Sequence, residues 1–233
     1  MDLPNECSQS EENESQAAEF NLLSDSDYFL STYLTAKNLT QKGKDVTLKI
    51  LEAARQVLVE KGYGAFSLRE VSREAGISLS NLQYYYPTRD DLMEDLLPLI
   101  FSIYDARHNQ LSFATDLSPN EKLVSLTKYL LNNIREQSIY KLFFELWALA
   151  RRSEYAADLL SRMYEAYCQR LEKLIAEVSP EMPPDKRTER AILIAFQIEG
   201  LMVFLNTRQS WDDSSVEIDS ECIEQIQRLA SWP

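Results

Sequence analysis

The sequence predicts an all-α protein on three observations. Glycine and proline are scarce, 5 and 8 in 233 residues, too few for the many turns of an all-β fold. Apolar residues recur at three- and four-residue spacing, the signature of amphipathic helices. No alternation of period two persists along the chain. At 45% hydrophobic and 10% aromatic, the chain can bury a sizeable core, and its length suggests one or two domains.

Residues 1–40 are acidic and polar. They are expected to form a disordered tail with at most a short helix near Asp27 to Ala36. From Asp45 the pattern turns helical, with Val46, Ile50, Ala53, Ala54, Val57 and Leu58 on one face. Gly62 is expected to stop this first helix, with Lys61 in its last turn. Ser67-Leu-Arg-Glu70 reads as a capping box opening a short second helix. Its residues Leu68, Val71 and Ala75 face inward, and Gly76 ends it. Ser78 caps a third short helix, closed by Tyr84, Tyr85, Tyr86 and Pro87. Thr88 caps a fourth, with Asp90 and Asp91 where the helix dipole favours acids. That helix is expected to run to about Asn109, with a kink at Pro98. Further helices are predicted over 119–136, 138–152, 155–178, 186–209 and 216–231, with Pro119 at a first helical position and a break at Ser179 to Asp185.

The second and third helices are separated by Gly76-Ile77-Ser78, the spacing of a helix-turn-helix. In such a pair the second helix is the one placed in a major groove. The net charge of −13 argues against a nucleic-acid partner only if it is evenly spread, and it is not. Residues 1–40 carry eight acids and one base, residues 41–89 eight bases and five acids, and residues 90–233 fifteen bases and 24 acids. The one basic block coincides with the helix-turn-helix. Other classes are disfavoured. The N-terminus lacks the basic and apolar regions of a secretory signal. The longest apolar stretch, Ala191 to Leu205, contains Gln197 and Glu199 and is too short to span a membrane. Cys7, Cys168 and Cys222 form neither a disulfide framework nor a metal site. One histidine, His108, no metal spacing and no Gly-rich phosphate loop argue against an enzyme. A cytoplasmic protein with no cofactor, no metal and no membrane association is expected.

The segment from Thr47 to Leu97 contains ILEAARQVLVEKGY, SLREVSREAGIS, an aromatic third helix and PTRDDL. In this order and spacing it resembles the DNA-binding domain of TetR-family transcriptional regulators. Gln83 stands where the family usually has Tyr, Arg89 where it usually has Lys, and Ser80 where it often has Gly. The resemblance implies a DNA-binding domain over 41–92, a helical regulatory and dimerisation domain over 93–233, and a dimer on a pseudo-palindromic double-stranded operator. It also implies a repressor released by a small-molecule effector. An activator or DNA-organising protein of the same fold, with no ligand, is the alternative.

The residues of the third helix carry their own chemistry. Leu82 and Tyr86 lie four apart and face inward, leaving Ser78, Leu79, Ser80, Asn81, Gln83, Tyr84 and Tyr85 for the outer face. Asn81 and Gln83 suit adenine, and Leu79 suits a thymine methyl. Tyr84 and Tyr85 suit phosphates. Thr88 and Arg89, at a helix N-terminus, are expected to hold a phosphate. By resemblance, Arg69 reaches a base edge, and Lys44 and Thr47 clamp the backbone. Arg69 could equally pair with Glu70 or Glu74. The resemblance also implies a ligand site among Tyr104, Phe143, Phe144, Trp147, Met163, Tyr164 and Tyr167, each of which could equally be core. Glu145 could anchor a cationic ligand or be solvated. A dimer patch is expected on Ile192, Phe196, Glu199, Gly200 and Val203, with the dimer bundle on the last two helices.

Overall fold

The computed structural model describes residues 39–112, 116–207 and 215–232, without the side chains of 103–112 and 215–217. The expected tail and its short helix therefore lie outside the described residues, apart from Leu39 and Thr40, as does the expected role of Tyr104. The described residues form nine helices and no strand: α1 (Gln41–Ala65), α2 (Leu68–Glu74), α3 (Leu79–Tyr85), α4 (Arg89–Ser112), α5 (Pro119–Asn133), α6 (Gln137–Ala150), α7 (Glu154–Val178), α8 (Pro184–Thr207) and α9 (Ser215–Ala230).

Local chemistry sets the ends. Helix α1 starts a turn earlier than expected because Thr40 accepts from the Gly43 N–H. Gly62 breaks the regular geometry of α1, with φ +73° and ψ 167°, but does not stop it as expected, since a last turn continues to Ala65. A Cβ at Gly62 would also lie 2.9 Å from Glu145 Oε1, so both conformation and space call for glycine. The expected box at α2 forms only by half. Ser67 Oγ accepts from Glu70 N–H, but the Glu70 carboxylate turns to Lys61 and Arg73 instead of the Ser67 backbone. Gly76, at φ +61°, makes the left-handed turn between α2 and α3. At α5 the reciprocal box is complete. Ser118 Oγ accepts from Glu121 N–H, and Glu121 accepts from Ser118 N–H.

Helix α4 runs through Pro98. Proline has no N–H to offer the carbonyl four residues back. That carbonyl, of Glu94, accepts instead from the Tyr155 hydroxyl of α7 at 3.1 Å.

One hydrophobic core runs through the protein. In the N-terminal head, Ile50, Leu51, Ala54, Val57 and Leu58 of α1 meet Val71, Leu82 and Leu92. Helix α1 also packs on α4 and α6, and α7 packs on α8, α6, α4 and α5. Helix α9 closes the far end against α5 and α8, with Arg135 paired to Asp219. No described helix is long and apolar enough to cross a membrane.

Candidate nucleic-acid interface and effector cavity

Helix α3 is a short helix fixed from beneath. Ser78 Oγ accepts from Asn81 N–H at 3.2 Å and starts the helix. Leu82 and Tyr86 are buried, as their spacing predicts. The opposite face exposes Ser78, Ser80, Asn81, Gln83 and Tyr84. Tyr84 is 83% exposed, a large aromatic ring held in solvent by an edge-to-face contact with Tyr85. Leu79 and Tyr85 are half-buried, so they support this face more than they form it.

Around α3 the expected backbone clamps divide. Arg69 is exposed on α2. Of the two acids it could have paired with, Glu70 is occupied by Lys61 at 2.8 Å and Arg73 at 2.7 Å, and Glu74 lies 4.0 Å from Lys61. Those two cations hold the Glu70 carboxyl down to about 2. Arg89 is exposed, with its guanidinium 4.6 Å from the centre of the Tyr63 ring. Thr88 is committed differently from expectation. Its N–H and hydroxyl both donate to the Asp91 carboxylate, and its Oγ accepts from Asp91 N–H. An aspartate already complements that helix end. Lys44 is half-buried, and Thr47 is 2% exposed with a hydroxyl that makes no hydrogen bond. Thr47 thus lies inside the head, because it falls on the apolar stripe of α1, four residues before Leu51 and three before Ile50.

In the body, a cavity of about 50 Å³ lies between α5, α6, α7 and α8. Phe143, Met163, Tyr164 and Tyr167 line it, four of the seven residues singled out in the sequence. Phe144 does not line it and packs between Tyr140 and Trp147. Trp147 stands behind the wall, its Nε1–H donating to the Tyr164 hydroxyl at 2.8 Å. That hydroxyl in turn donates to Glu199 at 3.2 Å. Burial drives the hydroxyls of Tyr164 and Tyr167 well above the ordinary tyrosine range, and the Glu199 charge adds to both. Burial also raises the Glu199 carboxyl to about 7, against the lowering effect of the Tyr164 bond.

Glu199 departs furthest from its sequence expectation. It was expected on the dimer patch, yet it lines the cavity. Helix geometry explains this. Ala191, Ile194, Ala195, Ile198 and Met202 form the buried stripe of α8, and position 199 flanks that stripe on the side facing α7. The other lining residues the sequence reading missed, Ile139, Ile198 and Met202 among them, are aliphatic core residues with no distinguishing signal. Glu199 did carry one, as an acid within the most apolar stretch of the chain.

Glu145 also departs from both of its expected roles. It accepts the Tyr63 N–H at 2.7 Å, joining α6 to the end of α1. Beside it, Lys141 pairs with Glu60 at 3.5 Å. The outward face of α8 bears Ile192, Leu193, Phe196, Val203 and Phe204, all exposed. Phe196 is 70% exposed. Gly200 lies on the same face with open space around it.

Residues 50–96 match the family model of bacterial regulatory proteins, tetR family. The chain is 28% identical over 208 residues to an uncharacterized HTH-type transcriptional regulator from the dhlA 5′ region of Xanthobacter autotrophicus, covering 84% of this chain and 98% of that one. Among solved structures, it resembles a TetR transcription regulator from Haloarcula marismortui (TM-score 0.60, 21% identity, covering 80% of this chain and 94% of that one). It also resembles a transcriptional regulator from Saccharomonospora viridis solved in complex with choline (TM-score 0.66, 17% identity, covering 78% and 96%). The matched segment spans α1 to the first turns of α4, the head that carries the helix-turn-helix, and the fold likeness extends through the body. Residues 50–96 thus carry a DNA-binding head of the tetR family of bacterial regulatory proteins, on a chain similar over most of its length to an HTH-type transcriptional regulator.

Proposed function

We propose that the protein is a dimeric repressor that reads a pseudo-palindromic operator with α3 and releases it when a small molecule enters the body cavity. The observation that carries the reading role is the exposed face of α3. It offers two amides, Asn81 and Gln83, beside Tyr84, whose ring is 83% exposed and is not used by the core. Carboxamides can pair bidentately with adenine N6 and N7. Arg69 adds a guanidinium suited to guanine, and Arg89 a phosphate contact. The effector role is supported by the cavity and by the choline complex of the Saccharomonospora viridis relative. The dimer is supported by the apolar outer face of α8.

Selection of bound duplexes from a random pool tests the reading. A two-fold motif with half-sites about one helical turn, or a multiple of it, apart is expected. Asn81→Ala and Gln83→Ala should each relax base preference at one position per half-site. The same motif from wild type and both variants would remove α3 amides as readers. No enrichment at low salt would remove DNA binding itself.

A further inference from the structure

Among the described residues, the cavity has one carboxylate in its lining, Glu199. Among the described residues, its hydrogen bonding consists of one bond, from Tyr164. The Tyr164 hydroxyl has a single proton, and because it accepts from Trp147 its orientation is set toward Glu199. A partly buried carboxylate with one donor is under-compensated, since burying a charge is costly without a counter-charge. The surrounding walls add π faces from Phe143, Tyr164 and Tyr167 and a polarizable thioether from Met163.

The chemistry of the partner follows from what these walls lack. A hard divalent cation needs several oxygen ligands, and the lining gives one carboxylate. A guanidinium brings five N–H groups, more than the oxygens of Glu199, Asn133 and Tyr167 offer in so small a space. A tertiary or quaternary ammonium needs a counter-charge and aromatic faces but few or no acceptors. The volume of about 50 Å³ favours a compact head group. Arg170 also lines the cavity; its charge favours the ionised Tyr167 hydroxyl and is not among the influences on the Glu199 carboxyl.

We propose that the cavity is a site for a compact alkylammonium ion, with Glu199 as its counter-ion and the Tyr164 and Phe143 rings as its aromatic wall. This rests on the reading of the cavity as the effector site and names the class of effector. A proton competes with the cation. Burial raises the Glu199 carboxyl to about 7, so below that pH the cation must displace a bound proton. Tyr164, Tyr167 and Arg170 are the other titratable or charged groups in the lining. The two phenols are pushed well above the ordinary tyrosine range, and arginine stays charged, so none of the three changes charge between pH 5 and 8.

Calorimetric titration of the full-length protein with tetramethylammonium chloride tests the site, with tert-butyl alcohol as a neutral probe of similar size and sodium acetate as an anion. Tetramethylammonium should bind at least about tenfold more tightly than tert-butyl alcohol. Its affinity should fall by roughly tenfold per pH unit below 7 and level off above. Glu199→Gln, which retains an acceptor for Tyr164, should lose the affinity and the pH dependence together. Tyr164→Phe keeps the carboxylate but removes the bond that lowers its pKa, so the break in the pH profile should move upward. Equal binding of the alcohol, a flat wild-type profile, full affinity in Glu199→Gln or no binding at millimolar cation would each overturn the proposal. Preferred binding of acetate would make Arg170 the anchor and overturn it as well. Fluorescence anisotropy on the selected operator separates the two readings. Cation binding with this signature but unchanged operator affinity would leave the site standing and defeat the effector role.

Discussion

Arg89 is placed by contacts within the head. Its guanidinium lies over the Tyr63 ring, and the Tyr63 backbone is held by Glu145. Asp91 takes the Thr88 N–H and hydroxyl at the same helix end. The arginine is therefore ordered at the start of α4 by stacking, with its Nε 3.8 Å from Asp90, and its exposed guanidinium remains within reach of a phosphate. A phosphate contact contributes the same on every sequence. Arg89→Ala should weaken binding to the operator and to random duplex by similar factors. The slope of log affinity against log salt should become shallower by about one. Anisotropy titrations over a salt series measure both, and an unchanged slope would exclude the contact. Thr88 is expected to contribute through its cap more than through DNA, because its hydroxyl proton is already given to Asp91.

At the scale of elements, α4 links head and body, and its weakest point is Pro98. Tyr155 supplies the donor that Pro98 lacks, at the carbonyl of Glu94. Tyr155→Phe keeps the ring and removes only that donor. Because Tyr155 is 39% exposed, water can partly replace the bond, and the global loss should be near the low end of a single hydrogen bond, about 0.5–1 kcal/mol. The local effect should be larger. Amide exchange should quicken across the first turns of α4 and leave α9 unchanged. Equal exchange in α4 of variant and wild type would show that the bond does not support the helix. The pairing of Pro98 with Tyr155 was not legible in the sequence, since nothing in a chain of letters says which hydroxyl approaches a freed carbonyl 61 residues away. The helices were legible, because capping residues and three- and four-residue spacing are local physics. Leu82, Tyr86 and Gly76 took the positions their spacing implied. Glu145 and Glu199 did not, because a carboxylate flanking an apolar stripe has the same pattern whether it faces solvent, a backbone N–H or a cavity. The Thr47 position failed for a related reason: a threonine on the core stripe of α1 is buried whatever role its family position suggests.

For the whole molecule, the partition of charge and the outer face of α8 point to the same requirement. The basic block over residues 41–89 exceeds neutrality by only three charges, and the segment that follows it is acidic. A single head therefore has little non-specific attraction for DNA, and what it has is strongly screened by salt. Two heads held at fixed spacing convert the second contact into an intramolecular one, which can add two to four orders of magnitude, about 10²–10⁴, without a new interaction. Ile192, Phe196, Val203 and Phe204 supply an apolar face of the self-complementary kind a two-fold dimer uses. Because the same helix turns Glu199 into the cavity, a ligand there would act on α8 itself, one layer from the apolar face proposed to pair the heads. Phe196→Glu places a charge in the middle of that face and touches none of the buried stripe. The variant should keep its helix content by circular dichroism and sediment as a monomer at micromolar concentration where the wild type sediments as a dimer. Its operator affinity should drop by about 10²-fold or more, while its affinity for an isolated half-site stays within about twofold of wild type. A monomeric wild type, or a Phe196→Glu variant that still sediments as a dimer, would mean that α8 does not bring the two heads together.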